Sequence, residues 1–323
     1  MRSIVECVPN FSEGRERRTV EEIAAAIESV AGVLVLDVHI DSDHHRSVIT
    51  FVGDRENVGE AAVRAAGEAA ERIDMTRHTG EHPRVGAIDV VPFVPVRGVS
   101  LGECANIARE AGREIARRFG IPVYFYGAAA LRPERVQLET VRRGGYELLK
   151  QFGLSDPSRM PDAGEPRLHP TAGAAIVGAR PLLVAFNVNL DCPDRSVAVR
   201  IARAIRASSG GLPGVKALGL LLASRKAGEQ EGQAQVSMNL TDLTQTSLAQ
   251  AYRAVEQEAA KHGVAIDSSE IVGLVPQQAL EGVRPDEIKL SGFSPQKILE
   301  NRLAAVSGLA EFEPQGKKTE ITG

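Results

Sequence analysis

The chain is poor in cysteine and has no long apolar run. Its 323 residues include only three cysteines, Cys7, Cys104 and Cys192, which lie far apart. A small, odd set with this spacing argues against a disulfide framework and against a structural zinc site. No segment approaches the roughly 18 apolar residues that a membrane span requires. The sequence therefore favours a reduced, cytoplasmic location and gives no reason to expect a membrane partner.

Neither the start of the chain nor its net charge indicates a targeting signal or a nucleic-acid partner. Residues 1–9 contain Glu6 and lack the long apolar core of a signal peptide. The formal net charge of -4 gives no reason to expect nucleic acid as a partner. Hydrophobic residues make up 43% and charged residues 25%, which is an ordinary globular balance. The length suits two domains better than one.

The hydrophobic pattern predicts the same order of elements in both halves of the chain. Each half reads as strand, helix, strand, strand, helix, strand, which is typical of ferredoxin-like split βαβ domains. Helices cover one face of such a sheet and leave the other face in need of cover. We therefore expect an α+β fold in which two ferredoxin-like subdomains, residues 1–178 and 179–323, place mixed sheets against each other across a cleft.

Prolines modify this pattern in two places. Pro92 and Pro95 interrupt the strand predicted at 88–96, so this strand should lie at an edge or carry a bulge. Residues 155–170 contain four prolines and predict a long irregular loop that joins the halves and serves as a linker or a functional segment. The tail after Gly308 is expected to be frayed.

The densest polar segment is residues 78–84, which hold two histidines, a carboxylate and an arginine. His82 suits proton transfer because the unperturbed pKa of histidine lies near neutrality. Arg84 could hold a carboxylate through two parallel hydrogen bonds. A solvated polar loop has the same composition, so the residues alone leave both interpretations open.

A second cluster, residues 39–46, contains three histidines and two aspartates between two predicted strands. Imidazoles and carboxylates this close together fit a metal site, which would make the chain a metal-dependent hydrolase. A polar hairpin turn or a substrate contact would also place Asp and Ser here. These alternatives stay open at this point.

Uncharged amides recur at predicted strands. Asn10 follows the first strand, and the Asn187 and Asn189 side chains share one sheet face at a spacing of two. Asn239 is a further amide in a predicted strand. Such amides are costly inside apolar strands unless they are hydrogen-bonded, so they indicate either a polar network or a ligand.

Residues 164–180 are rich in small side chains but lack the GxxxxGK[ST] phosphate-binding pattern. Small residues near Ala172 and Gly173 would let the backbone approach a flat ligand closely. A small-residue strand–helix junction explains them equally well. If they make room for a ligand, a larger residue at Gly173 should obstruct that ligand and leave the fold largely intact.

Taken together, these segments resemble the formiminotransferase family, the glutamate formimidoyltransferases. The resemblance spans nearly the whole chain and lies in residues 5–14, 45–53, 80–90, 178–180, 186–190 and 272–276. It departs from the animal members at His39 and His45, where those proteins tend to carry Asp and Asn, and at Glu165, which separates Gly164 from Pro166.

The resemblance implies transfer of the formimino group from N-formimino-L-glutamate to N5 of tetrahydrofolate, with His82 as the catalytic acid and base. Both substrates carry carboxylates and the pterin needs neutral partners. The candidate substrate-binding residues are Asn10, Arg46, Arg84, Arg180, Asn187, Asn189 and Asn239. The family's folate-contacting segment falls on Gly164, Glu165, Pro166, Arg167, Leu168, His169, Pro170, Thr171, Ala172 and Gly173.

The same resemblance sets expectations for cofactors and partners. Tetrahydrofolate is a co-substrate, no metal is required, and the enzyme is expected to be a cytoplasmic homodimer. Animal members continue into a cyclodeaminase domain, so a separate cyclodeaminase should act on the product here. Besides the metal-dependent hydrolase, two alternatives remain: formyl transfer between N-formylglutamate and folate, and a folate-binding protein without catalysis.

The first prediction concerns His82. Replacing it in His82→Ala should keep the fold and lower the transfer rate roughly a hundred- to ten-thousand-fold, the usual contribution of a general acid or base. Steady-state kinetics would measure the loss. A variant within about threefold of the parent, well short of that range, would contradict the assignment.

Overall fold

A computed structural model describes residues 3–80, 82–222 and 232–306. Glu81 and the predicted frayed tail lie outside the described residues. The strands are β1 Ile4–Cys7, β2 Asn10–Phe11, β3 Leu34–Asp41, β4 Arg46–Gly53, β5 Ile88–Arg97, β6 Val123–Gly127, β7 Ala175–Ala179, β8 Val184–Leu190, β9 Val215–Leu222, β10 Gln233–Leu240 and β11 Ile266–Val272. The α-helices are α1 Arg17–Glu28, α2 Val58–Arg72, α3 Leu101–Phe119, α4 Leu138–Val141, α5 Gly145–Phe152, α6 Arg195–Ile205, α7 Leu248–Lys261 and α8 Leu299–Ala305.

The first sheet begins as a ferredoxin-like unit. The strands β1 and β2 act as one bent strand between β4 and β5, with β3 outside β4, and all of these pairings are antiparallel. Apolar residues of α1 and α2, such as Ile23 and Ala62, bury one face together with Val5 and Phe51. This arrangement confirms the split βαβ order expected for the first half.

Two further strands make the first sheet mixed. The strand β7 pairs in parallel with β5 on one side and β6 on the other. The sequence pattern does not predict β7, because its residues, AIVGA, are small and are buried on both faces. A strand buried on both faces shows no alternation of polar and apolar residues. The sequence pattern also did not predict the short helices α4 and α5, which follow β6.

The strand β5 corrects one expectation. It is an interior strand, paired with β1 and β2 on one side and β7 on the other, so the predicted edge position is wrong. The predicted bulge is confirmed by a register shift opposite Pro95, between Ile4 and Val5. Pairing with β7 ends at Phe93, so Pro95 lies beyond the part of β5 that β7 covers.

The second sheet has the order β11-β8-β10-β9 and is antiparallel throughout. With α6 and α7 packed on one face, it is the second ferredoxin-like unit, as expected. The expectation that this sheet would also be mixed is wrong, since β8, β9, β10 and β11 pair only antiparallel with one another. Asp194 caps α6 by accepting a hydrogen bond from the Ser196 amide at 2.8 Å.

The C-terminal half touches the face of the first sheet that α1 and α2 leave open. Leu299 and Leu303 of α8 pack there on Ile4 and Leu36. The Arg302 Nε donates to the Leu36 carbonyl at 2.6 Å. These contacts support two facing units, while the division at residues 178 and 179 stays a prediction.

Gly173 shows why its segment contains small residues. Its φ of +72° is left-handed, and an added Cβ would lie 2.6 Å from the Val85 carbonyl oxygen. Next to it, Ala172 is buried, and its carbonyl accepts a hydrogen bond from Ala87 at 2.8 Å. The expectation that the fold would tolerate a larger residue at 173 is therefore wrong, because the space there is filled by the chain itself.

Replacing Gly173 with alanine, and comparing the result with the same change at Gly263, should separate the cost of close packing from the cost of the left-handed backbone. Gly263 has a similar φ of +68° but nothing lies within 4 Å of an added Cβ. Gly263→Ala should cost about 1–2 kcal/mol for the left-handed backbone alone. Gly173→Ala should cost about 1–3 kcal/mol more, because it adds overpacking. Urea unfolding of both variants measures the difference, and equal losses would contradict the argument.

Candidate functional site

Three residues singled out from the sequence meet on the open face of the first sheet. Arg46 begins β4 and, at a spacing of two, shares a face with Val48 and Thr50. Its Nε donates to Asn10 Oδ1 at 3.0 Å, and its Nη1 lies 2.6 Å from His82 Nδ1. The structure thus joins β2, β4 and the loop before β5 at a single guanidinium group.

A buried carboxylate, Asp89, holds this cluster in place. Its Oδ1 accepts from the Val85 amide at 2.9 Å, and its Oδ2 lies 2.5 Å from Arg142 Nη2 and 3.4 Å from Arg46 Nη1. Two guanidinium groups therefore share one carboxylate. Burial, together with the positive charge of Arg142, lowers the pKa of Arg46 to about 9. The excess of positive charge suits an anionic ligand.

The same environment determines the protonation of His82. Burial and the neighbouring Arg46 and Arg142 charges lower the pKa of His82 well below 6.5. The imidazole is therefore neutral at neutral pH and can accept a proton.

The two described hydrogen-bond contacts of His82 compete for one ring nitrogen. Its Nδ1 faces both Arg46 Nη1 and the Pro83 carbonyl oxygen, the latter at 2.9 Å. A nitrogen that accepts from Arg46 cannot at the same time donate to Pro83. Each contact therefore corresponds to a different tautomer, and Nε2 is the nitrogen that neither contact uses.

A second imidazole stands beside the first. The His44 ring lies edge-on to the His82 ring, with centroids 6.1 Å apart. His44 Nδ1 lies 2.5 Å from Asp41 Oδ2, and the His44 amide donates to Asp41 Oδ1 at 2.9 Å. One carboxylate thus fixes both the backbone and the ring of His44, which is buried.

Further histidines organise the surrounding loops. His45 stacks on His78 with centroids 4.2 Å apart, and Arg84 Nε donates to His78 Nδ1 at 3.0 Å. Arg84 also pairs with Glu147 at 2.7 Å. Its predicted role in substrate binding stays a prediction. Within residues 3–80, 82–222 and 232–306, no three His, Cys, Asp or Glu side chains are grouped as metal ligands.

Arg180 follows the end of β7. Burial raises the pKa of Glu6 in β1 to about 7, and the nearby Arg180 charge opposes this rise. The Arg180 Nη1 donates to the Pro181 carbonyl at 3.0 Å. Arg180 thus lies near an acid on the open face of the first sheet, and its contact with a substrate stays a prediction.

The asparagines of the second sheet belong to a polar network on the face away from α6 and α7. Asn187 donates to Glu270 at 2.9 Å, while Gln235 donates to Asn189 Oδ1 at 2.9 Å. The predicted network is therefore present. Asn239 lies on the same strand face as Gln235 but is exposed. None of the described hydrogen bonds connects this network to His82.

The predicted folate segment splits into two parts. Gly164, Glu165 and Arg167 line a surface cavity of about 660 Å³ beside the end of α3, together with Arg113 and Arg117. The later part, through Gly173, packs against Val85 and Gly86. A role for this segment in binding folate stays a prediction.

Sequence reasoning missed two members of the site, Asp89 and Arg142. Asp89 could have been noticed as the single acid in an apolar strand. Arg142 has no such signal, because it lies 53 residues from Asp89 and only the fold brings them together.

Comparison with protein families gives two matches. Residues 4–180 match the model of the N-terminal subdomain of the formiminotransferase domain. Residues 185–284 match the model of the formiminotransferase domain. Together the matches cover most of the chain and include every residue of the cluster around Arg46.

Three relatives illustrate the similarity. A glutamate formimidoyltransferase of Streptococcus pyogenes is 44% identical over 87% of this chain and 91% of its own length. One from Thermoplasma acidophilum is 47% identical over 86% of this chain and 90% of its own. The formimidoyltransferase-cyclodeaminase of Rattus norvegicus is 42% identical over 87% of this chain and 51% of its own length.

Arg142 should control the protonation of His82. In Arg142→Gln, one positive charge leaves and the pKa of His82 should move up towards the ordinary value of about 6.5. The control is Arg132→Gln, which removes a partly exposed arginine beside Asp162 instead. NMR titration of the His82 ring measures both. The same His82 titration in Arg142→Gln and the parent would contradict the role given to this charge.

Proposed function

This chain belongs to the formiminotransferase family, and from that membership we propose that it transfers the formimino group of N-formimino-L-glutamate to N5 of tetrahydrofolate. The products are 5-formiminotetrahydrofolate and L-glutamate, a step of histidine degradation. The observation that carries the proposal is the identity of 44% and 47% to two glutamate formimidoyltransferases, which extends over nine-tenths of their lengths.

The reaction moves a carbon atom from one nitrogen to another. Attack of N5 on the amidine carbon gives a tetrahedral intermediate, from which N5 must lose a proton while the glutamate nitrogen must gain one. A neutral imidazole suits the first step, and His82 is held neutral by its surroundings. Because N5 is acidic once it has attacked, a weak base is sufficient.

The two contacts of His82 Nδ1 suggest how substrate binding prepares the base. A substrate carboxylate that draws Arg46 Nη1 away leaves Nδ1 free to carry its proton and donate to the Pro83 carbonyl. The lone pair is then on Nε2, the nitrogen we assign to proton transfer. Binding of the anion thus selects the tautomer that the reaction requires.

The charges around this base support binding of acidic substrates. Arg46 and Arg142 both pair with Asp89, so two guanidinium groups share this carboxylate and a substrate carboxylate could pair with one of them. We assign Arg84 and Arg180 to the remaining carboxylates. Neutral amides fit the pterin, and for these we propose Asn10, Asn187, Asn189 and Asn239, together with the segment from Gly164 to Gly173.

Three broader properties complete the proposal. We propose that the enzyme needs tetrahydrofolate as co-substrate and no metal, that it is a cytoplasmic homodimer, and that residues 1–178 and 179–323 form its two subdomains. The rat relative bears the name of a cyclodeaminase as well, and this chain covers about half of that protein. Among the described residues, no helix is long and apolar enough to cross a membrane.

An assay with two donors tests the function. The purified chain is incubated with tetrahydrofolate and either N-formimino-L-glutamate or N-formyl-L-glutamate, before and after treatment with a chelator. We expect turnover of the formimino donor in both cases. A preference for the formyl donor would change the assigned substrate. Loss of activity on chelation would point to the metal-dependent alternative, and folate binding without turnover would show a non-catalytic protein.

The pH dependence gives a further check. His82 must be neutral to accept a proton, so activity should be lost only as pH falls through its lowered pKa. Since that pKa lies well below 6.5, kcat/KM should still be high at pH 6.5. A half-maximal value near pH 6.5, the ordinary value for histidine, would contradict this prediction.

A further inference from the structure

The pair formed by His44 and Asp41 has no part in the mechanism with His82 as the single base. Its position next to His82 nevertheless suits a residue that takes part in the reaction. The His44 ring is 7% exposed and lies within 6.1 Å, between centroids, of the proposed base His82. The two rings approach edge to face, and they come from different segments, the β3–β4 turn and the loop before β5.

The carboxylate of Asp41 fixes both the tautomer and the direction of the His44 ring. With Nδ1 2.5 Å from Asp41 Oδ2, the ring donates from Nδ1 and leaves Nε2 for another partner. Burial is the largest single influence and would raise the pKa of Asp41, but the side-chain and backbone hydrogen bonds from His44 and the nearby imidazoles together outweigh it, and the pKa is lowered. Asp41 is therefore an anion that accepts the Nδ1 hydrogen of His44.

The two imidazoles consequently differ in their electrostatic surroundings. His82 faces the positive charges of Arg46 and Arg142, whereas the His44 ring is hydrogen-bonded to the Asp41 carboxylate. Two neighbouring imidazoles with opposite charges beside them are suited to different roles in proton transfer.

We propose that His44, oriented by Asp41, is a second catalytic residue that protonates the departing glutamate nitrogen, while His82 removes the proton from N5. This inference rests on the proposed function, and it divides between two residues the proton transfers that a single imidazole would otherwise perform. Neither the family matches nor the sequence resemblance assigns His44 a role.

The steps balance in protons and electron pairs. N5 attacks the amidine carbon and gives its proton to His82 Nε2. The bond between that carbon and the glutamate nitrogen then breaks, and its electron pair goes to the nitrogen, which takes the proton from His44 Nε2. The lone pair of the remaining formimino nitrogen restores the double bond. The proton on His82 passes to His44 through solvent, which resets the site.

His44→Gln tests the proposal, because glutamine keeps a polar side chain but cannot carry the proton. We expect kcat with N-formimino-L-glutamate and tetrahydrofolate to fall about a hundredfold or more, with KM within about threefold of the parent.

His39→Gln is the matched control, since His39 lies on β3 close to the same turn and pairs with Val48 across the sheet. Its kcat should stay within about twofold of the parent, because the change removes no acid or base assigned here. If His44→Gln does not fold, Asp41→Asn serves instead, and it should lower kcat because the His44 ring loses the carboxylate that orients it. A kcat for either folded variant within about threefold of the parent would overturn the proposal.

NMR of the His44 ring provides a readout that needs no turnover. In the free enzyme, the neutral His44 ring should carry its proton on Nδ1, the nitrogen that faces Asp41. Asp41→Asn should relax this preference. A neutral His44 that carries its proton on Nε2 overturns the proposal even if the parent is inactive. If the parent transfers nothing but the ring has the expected tautomer, the proposed function alone has failed.

Discussion

The site depends on one buried carboxylate, Asp89, which lies between the guanidinium groups of Arg46 and Arg142. Removing a carboxylate from such a group would leave like charges facing each other in a poorly solvated place, which typically costs about 3–5 kcal/mol. Asp89 also accepts the Val85 amide, so the same side chain shapes the loop that carries His82. Charge balance, loop conformation and the protonation of the base are therefore linked through a single residue.

The order of the elements could be predicted from the sequence to a large extent, because both ferredoxin-like units alternate clearly between helical and strand periodicity. The strand β7 could not, since its small residues are buried on both faces and give no alternation. Pro95 was correctly read as a bulge, but its strand is interior because β7 stops at the level of Phe93. Whether a strand that contains proline can lie inside a sheet depends on where the neighbouring strand ends. The local sequence contains no information on that end point.

The sequence identified site residues that stand out within a short segment, but it did not predict contacts between residues far apart in the chain. Asn10, Arg46 and His82 stood out by residue type, and the structure brings these three together. Arg142 directly follows the short helix α4, whose sequence carries no signal, and the fold brings it to Asp89 from a position 53 residues later in the chain. His44 was visible as one of several histidines, but only geometry separates it from His39 and His45. For Gly173 the sequence left open a ligand or a small-residue junction, and the structure shows that its backbone conformation and close packing require glycine.

The helix α8 has a consequence for how this chain matures. Its leucines complete an apolar surface that begins at Ile4, and Arg302 reaches a carbonyl 266 positions earlier in the chain. During synthesis, the first ferredoxin-like unit can form well before this helix emerges from the ribosome, and the patch around Ile4 and Leu36 stays uncovered in that interval. Contacts this distant in sequence form slowly, and transiently exposed apolar surface promotes association between chains. A nascent chain of this protein is therefore most vulnerable late in translation, when nearly all of its catalytic machinery already exists.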